Sequence, residues 1–576
     1  MKKYLFLFLI FLWNIQVYAI LGPNYYYYIK FDIKNAILVD TSLGNIGFNT
    51  AESYYDNQIL CNSYSCFFNF CDTPSKCLND TFMVLSSTLR PFNLRFSGGT
   101  LANFFHLGDL DSSYCRATKC GYGVDSLEVV NTFGTQNRYN QFYKDDGDYD
   151  RNFIFTFIDE IKKIESQNNI KVSVVYVANL WQHLINESSI DTNSVIFKNR
   201  LRETIDVIKI FKKYNINIAG VELGNELYFP SYFEKRNYIL SLNNQYSNYI
   251  EEYKKIALKY KNEISKYGIK VGVPLNINVI NLKYLSNSHY KQTSNQYLWN
   301  KALSQSNFYD ALIIHQYDDV FVDNLIKSTT SNPNKQLRNI ARSSFDSIYR
   351  YLNFIGFENK PIWITEWSLK DSSQYFINPT LKDLNYFNSN FIFQVEKYNL
   401  ERDKYKIKLI DYHNYNTSAG DGGYNIIRNT EKNFKYYSFE YILPQHQGHG
   451  IYDSINYTNN ILKDQCVFYG GYNEYGWNDY TPLKPDSHQY LLKVNDNTYK
   501  FIVYFRNYGS SLLTHDNLSD DIKNTSNNQN IMYSLQNPIM YLYDKNNATN
   551  PIKIINQQYL PANSFGFIIF DLIQNN

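Results

Sequence analysis

From residue 40 to residue 445, short apolar runs alternate with longer stretches whose apolar positions recur every three to four residues. That alternation predicts a parallel α/β architecture. Eight runs read as strands: Gly44–Phe48, Leu94–Ser97, Lys171–Ala178, Ile216–Leu223, Lys270–Pro274, Ala311–His315, Pro361–Glu366 and Lys406–Tyr412. Helical periodicity falls between most of them, at Phe153–Ile164, Arg200–Tyr214, Tyr249–Tyr267, Leu337–Leu352 and Leu384–Tyr398. Eight strands is the number that closes a (β/α)8 TIM barrel, in which every strand ends at one active face.

After residue 446 the helical period disappears. Runs such as Tyr490–Val494, Tyr499–Phe505, Ile539–Tyr543 and Phe565–Phe570 are separated by Asn, Asp and Gly clusters, which predicts a C-terminal all-β sandwich over residues 446–576. The polar stretch Asp516–Asn530 reads as a mobile excursion within it, and Tyr25–Lys30, in the segment 20–39, as a strand that joins the same module. A chain of 576 residues has room for both units, and its 44% hydrophobic content supplies a large core. The 55 Tyr and 39 Phe accompany heavy Asn, Lys and Ile usage, a coding bias that weakens any functional reading of aromatic abundance.

The first residues, Met1-Lys2-Lys3 followed by an apolar run from Tyr4 to Trp13 and by Val17-Tyr18-Ala19, have the charged, apolar and small-residue parts of a secretory leader, predicted to end at residue 19. The apolar run is shorter than the roughly 20 residues of a spanning helix, so no integral membrane span is expected. A secretory-pathway product accounts for two further features. Cys61, Cys66, Cys71 and Cys77 crowd one segment and Cys115 and Cys120 another, which reads as disulfides with Cys466 left over. Asn-x-Ser/Thr sequons stand at Asn79, Asn186, Asn416, Asn456, Asn517, Asn524 and Asn547. The formal net charge of +2 gives no field for a polyanion, so a nucleic-acid partner is not expected.

Two of the strands run directly into glutamates, in Val221-Glu222-Leu223-Gly224-Asn225-Glu226 and Ile362-Trp363-Ile364-Thr365-Glu366-Trp367. Strand ends on the active face of a barrel converge on one bowl. Two carboxyls held there about 5–5.5 Å apart suit glycoside hydrolysis with retention, in which one protonates the leaving oxygen and the other attacks the anomeric carbon. Such a site needs no metal or organic cofactor. His446 and His449 suggest a metal pair only weakly, with no third ligand in view.

Leu94-Arg95-Phe96-Ser97-Gly98-Gly99-Thr100 and Glu222-Leu223-Gly224-Asn225-Glu226 carry a resemblance to clan A of the glycoside hydrolases, and within it to family 79, the heparanase and β-glucuronidase family. The resemblance spans roughly residues 40–450. It implies a hydrolase of O-glycosyl bonds, with Glu226 as general acid/base and Glu366 as nucleophile. It further implies that Asn225 binds the sugar 2-hydroxyl, that Arg95 keeps Glu366 ionised, and that His315 and Tyr317 orient the nucleophile and line the sugar site. Trp367 reads either as a platform for a sugar ring or as a buried aromatic plug. The Tyr-Gly-Gly loop with which family 79 takes a uronic carboxylate has no counterpart after Glu366, where Ser368-Leu369-Lys370-Asp371-Ser372-Ser373 follows. The expected partner is thus an oligo- or polysaccharide whose sugar stays open between a β-glucuronide and a neutral glycan. The competing class is a catalytically silent barrel, an extracellular carbohydrate-binding or adhesion glycoprotein.

Overall fold

The computed structural model describes residues 46–50, 93–107, 153–168, 170–186, 190–229, 245–277, 294–319, 333–370 and 401–413, some positions between 391 and 399, and the short strands and C-terminal strands named below. The leader and all seven cysteines lie outside the described residues.

Eight parallel strands form a closed barrel: β1 Ile46–Asn49, β2 Asn93–Phe96, β3 Ser173–Ala178, β4 Asn217–Leu223, β5 Val271–Pro274, β6 Ala311–Asp319, β7 Ile362–Lys370 and β8 Ile407–Tyr412. Each pairs with the next in sequence, and β8 closes on β1 through Ile410↔Ile46 and Tyr412↔Phe48. All eight expected strands are present. Two of them, β6 and β7, extend four residues beyond the expected ends, to Asp319 and Lys370.

Strand parity separates two apolar layers. Outward residues such as Leu94, Val174, Tyr176, Val221, Leu223, Leu312, Ile314, Trp367 and Tyr412 join the large core beneath the helices. Inward residues Val175, Ala311, Ile313, Trp363 and Leu409 form a second, smaller cluster. Trp363 fills its centre, and it fits because Gly220 and Gly272 lack side chains; a Cβ at either position would meet the indole.

The helices are placed by their own chemistry. Val195–Lys213 starts at Ser194, whose hydroxyl accepts the Phe197 N–H at 3.1 Å, and ends with Lys212 and Lys213 where the helix dipole favours cations. It turns Phe197, Ile205, Ile208 and Phe211 to the barrel. Ser294 caps Asn295–Ser304 in the same way through Tyr297 N–H. Phe153–Asn168, Trp181–Asn186, Gln245–Ser265 and Pro333–Ile355 are further helices described between barrel strands.

Towards the C-terminus, β9 Asp486–Asn495, β10 Thr498–Asn507, β11 Ile531–Tyr543 and β12 Ser564–Asn575 belong to a seven-stranded sheet, antiparallel through β9–β10–β12–β11. The N-terminal segment reaches this region: Ile37–Leu38 pairs with β9, and Tyr27–Ile29 pairs with Leu513–His515 in a separate three-stranded sheet. The stretch Asp516–Asn530 is not wholly an excursion, since Ile522–Asn524 within it is a strand on β11.

Candidate active site

Inward parity places a set of charged side chains above the Trp363 layer. Arg95 on β2 is fully buried and is the hub. Its Nε donates to Glu222 Oε2 at 2.8 Å and its Nη2 to Glu222 Oε1 at 2.9 Å, a bidentate pair. The remaining donors reach Glu366 Oε1 at 2.6 Å, from Nη1, and Asn225 Oδ1 at 2.8 Å, from Nη2.

Glu226 stands on a turn just past β4. It has φ 49°, the left-handed region, after Gly224 at φ 86°. A non-glycine residue there is strained by roughly 1–2 kcal/mol and needs support from its surroundings. Asn103 provides it, accepting the Asn225 N–H at 2.9 Å and donating to the Asn225 carbonyl at 2.6 Å, as a paired strand would. Asn103 lies in the helical turn Thr100–Phe104 that follows Gly98 and Gly99. Gly98 is required because a Cβ would meet the Asn49 side chain. The two glycine-containing motifs, far apart in sequence, thus build one another.

His315, midway along β6, joins the two glutamates. Its Nδ1 donates to Glu226 Oε1 at 2.7 Å and lies 3.5 Å from Glu366 Oε2. Nε2 faces Glu222 Oε1 at 3.5 Å, too far for a well-formed hydrogen bond but close enough for strong attraction between charges. Two residues on, with the same parity, Tyr317 donates its hydroxyl to Glu366 Oε2. One donor atom from each of Glu226, His315 and Glu366 lies within 4.8 Å of the others. A metal ion would use this geometry, but Nδ1 of His315 is engaged as the donor to Glu226, and the chemistry of an imidazolium between carboxylates suits the trio better.

The electrostatics separate the carboxyls. Burial alone would raise the Glu366 pKa, yet His315, His413, Arg95 and the Tyr317 hydroxyl together hold it well below the usual carboxylate range. Burial likewise opposes ionisation of Glu222, and Arg95 with His315 outweighs it, leaving the pKa lowered. For His315 burial favours the neutral ring, but the charges of Glu366 and Glu226, the nearby Glu222 carboxylate and the hydrogen bond to Glu226 push it up to about 10. The hydroxyls of Tyr317 and Tyr228 are kept neutral by burial and by the same carboxylates. Glu226 is the most exposed of the three acids, its side chain 17% accessible against 5% for Glu366 and none for Glu222.

Arg95, Asn225, Glu226, His315, Tyr317 and Glu366 are therefore brought together. Trp367 is not. Its side chain is fully buried on the outer face of β7, stacked on Phe391 at 4.0 Å and 2° and edge-on to Tyr412 at 5.0 Å, so of its two expected roles it takes that of plug. The oxygen of Asn225 is already taken by Arg95, which leaves its Nδ2 as the donor for a hydroxyl.

Four residues enter the site unannounced by sequence reasoning. Glu222 is one. Asn49 and His413, at the ends of β1 and β8, contact one another at 2.8 Å, and His413 Nδ1 lies 3.9 Å from Glu366 Oε2 with its ring edge-on to Tyr317. Asp411 on β8 is fully buried, takes Asn93 Nδ2 at 2.6 Å on Oδ1, and is pushed up to about 8 by burial. Inward parity on strands already rich in apolar residues was the available signal for all four.

No protein-family model matches the chain. No curated protein matches it either. Solved structures do share its outline. An α-L-arabinofuranosidase from Thermotoga maritima is 10% identical at TM-score 0.43, covering 95% of this chain and 99% of that one. A family 51 α-L-arabinofuranosidase from Bifidobacterium longum is 12% identical at TM-score 0.46, with 93% and 97% covered. A family 44 endoglucanase from Clostridium thermocellum is 11% identical at TM-score 0.39, with 84% and 94% covered. Likeness at this level identifies neither the reaction nor the sugar, which have to be argued from the side chains.

Proposed function

We propose that this chain is a retaining glycoside hydrolase, with Glu226 as acid/base and Glu366 as nucleophile. The observation that carries the reading is the approach of the two carboxyls to within 4.8 Å, oxygen to oxygen, at the mouth of a closed barrel. Inverting enzymes need a wider gap, about 6.5–9.5 Å, to admit a water.

The hydrogen bonds support this division of the steps. Glu366 is ionised, as a nucleophile must be, and its Oε1 and Oε2 are oriented by Arg95 and Tyr317. Oε1 of Glu226 accepts from His315, so the proton for the leaving group is carried on Oε2. Attack of a Glu366 oxygen on the anomeric carbon breaks the glycosidic C–O bond while Glu226 delivers that proton to the departing oxygen. The product is a glycosyl ester of Glu366, with Glu226 now a carboxylate. Water then gives a proton to Glu226 and its oxygen to the anomeric carbon, and Glu366 leaves as carboxylate. The substrate class is an oligo- or polysaccharide, of the β-glucuronide or a related type, and the leader-like N-terminus fits a product of the secretory pathway.

The test is hydrolysis of a panel of aryl glycosides that includes the β-glucuronide, with the anomer of the first-formed product followed by NMR, beside Glu366→Gln. Each sugar is also supplied as its 2-deoxy-2-fluoro glycoside, and the labelled peptide is sequenced. Retained configuration, loss of turnover in the variant and an ester on Glu366 are expected. Inverted product, or covalent label elsewhere, would overturn the assignment.

A further inference from the structure

Glu222 has no role in the double displacement just described, yet it is fully buried and receives two of the four hydrogen bonds that Arg95 makes. Counting charge around the site explains why an acid stands there. Two cations, Arg95 and His315, face three acids, Glu222, Glu226 and Glu366, each acid within 3.5 Å of one or both cations, and His413 stands at the edge of this group, 3.9 Å from Glu366 Oε2. Before reaction, with Glu226 protonated, Glu222 and Glu366 balance Arg95 and His315. In the glycosyl-enzyme Glu366 is an uncharged ester and Glu226 a carboxylate, so Glu222 and Glu226 balance the same two cations. Over these five groups the sum is zero in both states only if Glu222 is ionised throughout.

We propose that Glu222 is a positioning residue that keeps this cluster neutral in both half-reactions, offsetting the cations among which the two catalytic carboxyls sit. The proposal rests on the retaining reading above. Three features of the geometry suit the role. Both carboxylate oxygens of Glu222 are fixed by the guanidinium, so the charge cannot swing toward the substrate. Glu222 faces the far nitrogen of the imidazole whose near nitrogen donates to Glu226, so its field reaches Glu226 through a single ring. And it lies two residues before Gly224, outside the left-handed positions of Gly224 and Glu226, with its carbonyl accepting the Gly224 N–H at 3.1 Å where the turn begins.

Other ionisable groups face this cluster. Arg95 comes from β2, His315 and Tyr317 from β6, Glu366 from β7, and Asp411 and His413 from β8. Tyr228, past β4, and Tyr253, on the helix Gln245–Ser265, feel the carboxylates and stay neutral. Asp411 is the one of these that ionises on the alkaline side, so it has to be controlled for.

The experiment is the pH profile of kcat/KM on the best aryl glycoside for the parent and Glu222→Gln, each also carrying Asp411→Asn. Removing one negative charge leaves the cluster at +1, so the alkaline limb moves to lower pH by about one unit. Glu222→Asp retains the charge and should keep the limb at the parental position even where kcat falls. Glu222→Met removes the same charge without turning an amide N–H toward Arg95, and it carries the same expectation where the Gln protein does not fold. A loss of kcat/KM by the same factor at every pH, with the limb unmoved, would show that Glu222 only supports shape and would overturn the proposal. A parent that releases inverted product fails the retaining reading itself, whatever its limb does.

Discussion

Replacing Arg95 by methionine keeps the length and apolar stem of the side chain and removes its charge. Four hydrogen bonds to charged or amide acceptors are lost, at 2.6–2.9 Å. Summed at about 1.5–3 kcal/mol each they would give roughly 6–12 kcal/mol, but that sum is too large. The guanidinium itself is buried, and its removal also lifts the penalty of holding a cation away from water. Measured losses for one partner of a buried pair are about 3–5 kcal/mol, and that is the range expected here at neutral pH. The pH dependence gives a sharper test than the size. In the parent, Glu222 and Glu366 have lowered pKa values. Their contribution is therefore present above the unfolded carboxyl pKa and lost as pH falls through the folded values. In Arg95→Met, Glu366 keeps His315, His413 and the Tyr317 hydroxyl, but Glu222 loses its principal counter-charge and burial raises it, so the variant loses stability as pH rises through the weakly acid range. Urea midpoints taken at pH 5 and pH 7.5 should thus show a larger gap between parent and variant at pH 7.5. A loss below about 1 kcal/mol, or the same loss at both pH values, would refute the account of Arg95 as the cation that makes the two acids bearable.

Asp411→Asn should flatten the pH dependence of stability between the ordinary carboxylate range and about pH 8. The folded pKa of Asp411 is raised to about 8, so its contribution is present at low pH and lost as pH rises through that value, a difference on the order of 3–5 kcal/mol that the amide, still accepting from Asn93, does not suffer. Urea titrations across pH 5–9 measure it, and parallel curves for parent and variant would contradict it. Trp367→Ala should lower stability by about 3–5 kcal/mol through the cavity left against Phe391 and Tyr412, with little change in KM; a large rise in KM with stability intact would restore it as a sugar platform.

The barrel was legible because its strands are buried on both faces and so appear as near-continuous apolar runs, such as Val174-Val175-Tyr176-Val177-Ala178, set between amphipathic helices. What sequence reading could not supply is where a strand stops once it passes the rim. β6 and β7 run on to Asp319 and Lys370 through polar residues, held by pairing with each other from His315↔Glu366 to Asp319↔Lys370 rather than by any apolar pattern of their own. The strand Ile522–Asn524 escaped for a related reason. It is a three-residue strand in a polar stretch, and its only visible cause is the partner Tyr533-Met532-Ile531.

At the site, parity decides what was and was not legible. Consecutive strand residues face opposite sides, so Glu366 and Trp367 could never both line the bowl, and the sequence alone excludes the platform role once Glu366 is taken to point inward. By the same rule His315 and Tyr317 share a face, and both reach Glu366. The rule breaks between Trp363 and Glu366, three apart yet both inward, and the register of β7 on β8 slips between Ile364 and Trp367 to permit it. An irregularity of that kind leaves no mark in the pattern of residues. Glu222 and Arg95 did leave one. Each is a full charge at an interior position of an apolar strand, and an isolated charge there is prohibitively costly, so the presence of one implies an opposite partner inside the same barrel. With the eight strands in order, β2 and β4 are separated only by β3, and a long guanidinium spans that gap across the interior. The pairing of Arg95 with Glu222 follows from burial, sign and reach, and with it the fixed direction of the two donors left over for Glu366 and Asn225.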